Sequence, residues 1–194
     1  MEKERMDKAC VSPLEKLQHA VEKEPDSPLA HLRLGSALIR AGFLQRAEQS
    51  FRRSLELDPN YAEAWVNLGG VLHAAWDFGG CVEANKRALE CNPGLLQAHY
   101  NQGLGYLYLG QAEDMLNCFG KVIEIDSSHP GGHYHLAVAL YALGEVEKAR
   151  ENLSMAIELG YSPQPEFVKA IQRDEGGDRA AIRSEVNRKN NLQQ

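Results

Sequence analysis

Residues 62–95 read AEAWVNLGGVLHAAWDFGGCVEANKRALECNPGL, and the rest of the chain is understood from them. Apolar or small residues recur there at helical spacing in two segments, with a break from Asp77 to Gly80 and a stop at Asn92-Pro93. The pattern predicts two antiparallel helices of about 14 residues each, joined by a short turn. Gly69 and Ala88 are small enough to let two helix backbones approach where they cross. Trp65 and Leu72 stand seven apart, on one stripe of the first helix, and face the second.

The same frame recurs at a fixed interval. Leu34-Gly35, Leu68-Gly69, Gln102-Gly103 and Leu136-Ala137 succeed one another at 34 residues. Leu72 maps onto Leu38, Tyr106 and Leu140; Cys81 maps onto Ala47, Met115 and Ala149; Ala88 maps onto Ser54, Val122 and Ala156. Pro93 maps onto Pro59, whereas Ser127 and Tyr161 break the pattern. A two-helix unit with these markers resembles the tetratricopeptide repeat. The resemblance implies an all-α chain, a right-handed α-solenoid superhelix of antiparallel helix pairs. It places a flexible segment at 1–12 and a repeat domain at 13–174. Within that domain come a capping helix at 13–24, repeats at 28–61, 62–95, 96–129 and 130–163, and a second capping helix at 165–174. Residues 178–190 would form a polar C-terminal helix or tail.

Composition narrows the function. A net charge of −6 argues against general nucleic-acid binding, which needs a basic face. No apolar run approaches the ~18–20 residues that span a membrane, and the opening MEKERMDKACVSP lacks the apolar core of a secretory leader. Cys10, Cys81, Cys91 and Cys118 show no paired spacing, which predicts a reduced, cytoplasmic compartment. No phosphate-cradling glycine loop, nucleophile elbow or HExxH motif appears, so neither catalysis nor a cofactor is expected. His129, His133 and His135 lie close in sequence, yet His133 and His135 point to different sides of a helix. No Cys or carboxylate completes a metal set there, so no metal is expected. His31, His99 and His133 take the place of Trp65 and read as packing residues.

In the family that this chain resembles, the first helix of each repeat lines a concave wall. That carries Arg33, Arg40, Asn67, His73, Tyr100, Asn101, Tyr108, Tyr134, His135 and Tyr141 onto the wall, as the candidate surface for a segment of a partner protein. Four of the seven tyrosines fall there, each with a flat apolar body and a polar tip. Arg33, Asn67, Asn101 and His135 form one row, two residues before each repeat's Gly or Ala. An Asn amide both donates and accepts, so it can pair with any peptide backbone. Rungs roughly 8–10 Å apart would match about three residues of extended chain. The row resembles in part the asparagine ladder of the tetratricopeptide superhelix in O-linked N-acetylglucosamine transferase. The other reading is that each Asn bonds its own neighbouring helix.

The carboxylate clamp of co-chaperone repeats is not matched. Its places hold Leu32 and Ser36, then Asn67, then Gln97 and Asn101, and only the middle Asn agrees. Arg33 and Arg40, seven apart on one face, either receive an acidic side chain or are simply solvated. Trp76 replaces the turn glycine seen at Gly42, Gly110 and Gly144, with Phe78 close by. These two aromatics form a self-association patch or fold back on Phe43. Three functions fit: an adaptor that binds a partner's segment in the groove, a self-assembling scaffold, and a chaperone dedicated to one client.

Overall fold

The computed structural model describes residues 12–173, and within them every regular element is an α-helix. The helices are α1 (Pro13–Lys23), α2 (Pro28–Arg40), α3 (Leu44–Leu57), α4 (Ala62–Ala74) and α5 (Phe78–Cys91). They continue as α6 (Leu96–Leu109), α7 (Ala112–Ile125), α8 (Pro130–Ala142), α9 (Val146–Glu158) and α10 (Pro165–Arg173). The expected tail helix at 178–190 and the opening segment before Ser12 lie outside the described residues.

Local chemistry sets several helix starts. Ser12 and Glu15 form a reciprocal capping box, the Ser12 hydroxyl accepting from Glu15 N–H and the Glu15 carboxylate from Ser12 N–H. Ser27 accepts from Ala30 N–H, with Pro28 already holding the helical φ. Asp77 starts α5 by accepting from Gly80 N–H at 2.8 Å, and His129 starts α8 through Nδ1, which accepts from Gly132 N–H at 2.9 Å.

The turn inside each pair is built one way four times. The N–H groups of Phe43, Asp77, Gln111 and Glu145 donate to the carbonyls of Leu38, Leu72, Tyr106 and Leu140, each five residues back. This closure requires a left-handed residue, supplied by Gly42, Gly110 and Gly144 at φ of 81°, 72° and 84°. In the second pair Trp76 stands there, at φ 65°. A side chain in that region costs about 1–2 kcal/mol.

The close approach expected at Gly69 has a specific occupant. A Cβ on Gly35 would lie 2.6 Å from the Phe51 ring, and one on Gly103 would lie 2.7 Å from the Phe119 ring. The absent side chain therefore makes room for a ring from the second helix, not for its backbone. In the second pair Asn85 fills that slot, with its Nδ2 2.2 Å from a Cβ built on Gly69. Asn85 is fully buried and donates to the Cys81 carbonyl at 2.8 Å. In the fourth pair the matching places hold Leu153 and Ala137, both buried in the core of the second unit.

The helices group into two compact units, one ending at Pro93 and one beginning at Gly94. In the first, α1 packs on α2, α2 on α3, α3 on α4 and α4 on α5, around Leu38, Phe51, Leu68 and Val71. In the second, α6 packs on α7, α7 on α8, α8 on α9 and α9 on α10, around Phe119, Val122, Val138 and Leu153. Phe51 and Phe119 are each 0% exposed, and burying such a ring contributes about 1.5–3 kcal/mol.

Candidate protein-binding face

In the first unit the surface belongs to α2 and α4. Arg33, Ile39 and Arg40 of α2 are exposed, while Ser36 turns its hydroxyl inward to the Leu32 carbonyl at 3.0 Å. Asn67 and His73 of α4 are half-buried, and a Cβ built on Gly70 between them would meet nothing within 4 Å. Gly70 is therefore an open stretch of floor rather than a packing glycine.

The charges of this surface are uncompensated. Elsewhere in the unit Arg52 holds Glu48, Arg53 holds Asp26 and Glu56, and Arg87 holds Glu83 and Glu90. Arg33 and Arg40 hold no carboxylate among the described residues. The α2 sequence contains no Asp or Glu, and α4 contains only Glu63. The Tyr61 hydroxyl nearby is pushed above its ordinary pKa, first by burial and then by Glu63, with Arg33 pulling the other way.

At the end of this face the aromatics line up. The Phe78 ring lies edge-on to His73 at 5.5 Å and to Trp76 at 5.7 Å. Trp76 is 37% exposed, and Phe43 is 48% exposed under the Arg46 guanidinium, 5.6 Å from the ring centre.

The second unit corrects the sequence reading. The repeat frame puts Tyr134, His135 and Tyr141 on an open wall, and they are buried at 2%, 5% and 3% exposure. Tyr134 stacks on Tyr161 at 4.4 Å and meets Phe167 edge-on at 5.7 Å; Tyr141 also meets Phe167 at 5.7 Å. His135 stacks on Phe119 at 5.0 Å. The physical cause is α10 and the Tyr161 turn, whose rings cover the side of α8 that the repeat frame leaves open. These three residues are core.

Tyr100, Asn101 and Tyr108 of α6 are half-buried. Burial raises the Tyr100 hydroxyl pKa, and the ring packs on Phe119, His129 and His135. The Asn101 side-chain oxygen accepts from Gln97 Nε2 at 2.7 Å, a bond within its own helix. Asn67 makes no such bond among the described residues, so the two amides of the row are not equivalent.

The histidines in the tryptophan place have a role that the frame did not reveal. Trp65 Nε1 donates to the Pro59 carbonyl at 2.8 Å, six residues earlier. His31 Nε2 meets the Pro25 carbonyl at 2.8 Å, and His133 Nε2 meets the Ser127 carbonyl at 2.9 Å. A carbonyl only accepts, so Nε2 carries the proton in both. The common property is a ring N–H, which a purely apolar reading of the position misses.

Among the described residues the two buried thiols are not activated. Burial pushes Cys81 up to about 11 and Cys118 up to about 12, so both stay protonated near neutral pH. Among the described residues no group of three His, Cys, Asp or Glu is placed to hold a metal ion. No helix there is long and apolar enough to cross a membrane.

Antiparallel helix pairs repeating at a fixed interval, each closed by the same turn, define an α-helical repeat protein. The family model described as tetratricopeptide repeat matches residues 14–62, 32–95 and 100–161, and the chain belongs to this family. Among solved structures it is similar to MamA 41-end from Desulfovibrio magneticus RS-1, at 25% identity and a TM-score of 0.70, over 75% of this chain and 82% of that one. Another MamA crystal structure aligns at 21% identity and a TM-score of 0.71, over 83% and 98% of the two chains. YrrB, described as a TPR protein with an unusual peptide-binding site, aligns at 18% identity and a TM-score of 0.71, over 81% and 79%. No curated protein sequence matches.

Proposed function

We propose that this protein is a non-catalytic adaptor that holds a segment of a partner protein on the face formed by α2 and α4. The observation that carries this reading is the unpartnered polar set of Arg33, Arg40 and Asn67 around the bare floor at Gly70. Polar side chains held on rigid helices with nothing of their own to bind are suited to a ligand from outside. Tyr100 and Tyr108 remain partly accessible and add a second contact region. Free thiols at Cys81, Cys91 and Cys118 support a cytoplasmic setting.

Selection of a random-peptide display library on the immobilised protein tests the adaptor reading. Peptides should be enriched, and their binding should weaken in an Asn67→Ala, Arg33→Ala variant of unchanged helicity. Full binding by that variant would remove the face from consideration.

A second reading, self-association through Trp76 and Phe78, is favoured by an exposed tryptophan kept in a strained backbone conformation. Sedimentation over a concentration series decides it: a growing mass that Trp76→Gly abolishes supports it, and a monomer throughout rules it out.

A further inference from the structure

We infer that the segment taken by the α2–α4 face is an acidic, extended stretch of the partner, with two carboxylates three residues apart. The inference rests on the adaptor reading and adds the chemistry of the ligand. Its basis is a local charge imbalance. The chain as a whole carries a net −6, and the other described arginines of the first unit, Arg46 apart, sit in ion pairs. On α2 two arginines stand exposed with no carboxylate on their own helix, and α4 offers only Glu63, near its start. An acidic protein that leaves two cations uncompensated on one face presents a complement to negative charge.

Spacing then fixes the ligand. Arg33 and Arg40 are seven residues apart on a helix, two turns, or about 10.5 Å along the axis. A segment in the extended polyproline II conformation, with three residues per turn at about 3.1 Å each, covers about that distance in three residues and brings the side chain back to the same face, its backbone groups still free. The acidic positions are therefore Asp or Glu, two intervening residues, then Asp or Glu. An extended ligand is chosen over a helical one because of Asn67. Its amide has both a donor and an acceptor to give, and a helix has already spent its backbone groups on itself. Gly70 leaves the neighbouring floor clear for that backbone, and Ile39, 37% exposed, lies beside Arg40 to meet an apolar residue of the segment.

The test reads the composition of peptides enriched on the wild-type protein, with titration of one labelled enriched peptide afterwards. The acid-x-x-acid pattern should dominate the enriched set. Affinity should fall roughly tenfold in Arg33→Glu, Arg40→Glu, and decline with added salt. A charge-matched control, Lys23→Glu with Lys86→Glu, alters the net charge equally on other surfaces and should change affinity less than about threefold. Enrichment of peptides without the acidic pair, still dependent on Asn67, overturns the acidic inference and leaves the adaptor reading standing. Equal loss in the control also overturns it, since the attraction would then belong to the whole molecule. If no peptide is enriched at all, the adaptor reading itself falls and takes the inference with it.

Discussion

Gly110 and Gly120 are both glycines over which an added Cβ meets nothing within 4 Å, and they differ in backbone. Gly110 closes the α6–α7 turn at φ 72°, whereas Gly120 lies inside the α7 helix. Replacing each by alanine isolates the turn geometry from packing. At Gly110 the left-handed conformation costs an alanine about 1–2 kcal/mol, and stiffening of the unfolded chain returns about 0.4–1 kcal/mol. The net expectation is a loss of roughly 0.5–1 kcal/mol. At Gly120 the helix gains about 0.8–1 kcal/mol from the same change. For a chain of this size each kcal/mol moves the melting temperature by about 2–4 °C. Thermal unfolding monitored by circular dichroism should therefore shift in opposite directions. Trp76 supplies the converse. Trp76→Gly and Trp76→Ala lose the same contact with Phe78, so their difference reports the backbone alone. The glycine variant should be the more stable by about 1 kcal/mol, the reverse of the helix-interior order. Shifts of one sign at Gly110 and Gly120, or an alanine variant at Trp76 as stable as the glycine one, would refute the shared-turn argument.

Other consequences can be checked on the same material. Tyr134→Ala should cost about 3–5 kcal/mol in a urea titration while the half-buried Tyr108→Ala costs about 1 kcal/mol or less; comparable small losses would return Tyr134 to an open wall. Asn85→Leu, which borrows the buried residue found at the matching place, Leu153, should stabilise by about 1 kcal/mol. It removes a buried Oδ1 that has no partner, at the expense of the bond to the Cys81 carbonyl, and destabilisation would mean that this oxygen is satisfied in solution. A maleimide at about pH 8 should label exposed Cys91 and spare Cys81 and Cys118 until the protein unfolds. Those two thiols hold their protons in the fold to about 11 and about 12, whereas unfolded they release them near the ordinary value of 9.0. The unfolded state then binds fewer protons, so stability should fall as pH rises above about 9; a flat profile there would contradict the burial.

The helix pairs were legible in the sequence because their causes are local. A run of apolar residues at helical spacing, a capping Ser27 or Asp77 and a glycine at Gly42 or Gly110 each act within a few residues of themselves. A repeat frame then extends one correct pair to the others. The frame is weaker wherever one copy departs from it. Asn85 stands where the frame calls for a ring, and nothing in its neighbours announces a buried amide. Trp76 stands where it calls for a glycine, and there the departure itself is the signal, since only an imposed turn keeps a tryptophan at φ 65°.

The wall is less legible, for a reason that is not local. Whether a first helix is open depends on the segments that come after it in the chain, and a tyrosine looks the same in both outcomes: Tyr108 is half-buried, Tyr134 is sealed by Tyr161 and Phe167. A cue was nonetheless present. Helix α8, PGGHYHLAVALYA, has no formally charged residue on any side, and a helix without a charged face is one that the fold can cover at little cost. Helix α2, PLAHLRLGSALIR, has Arg33 and Arg40 on the corresponding side, and sealing two guanidinium groups without carboxylates would cost more than the covering contacts return. Charge on the wall-facing side thus marks a surface that the fold leaves open, whereas its absence permits either outcome: α6, LQAHYNQGLGYLYL, is as uncharged as α8, and its Tyr108 stays half-buried. The two arginines of α2 are in this respect the strongest support for the face proposed on α2 and α4.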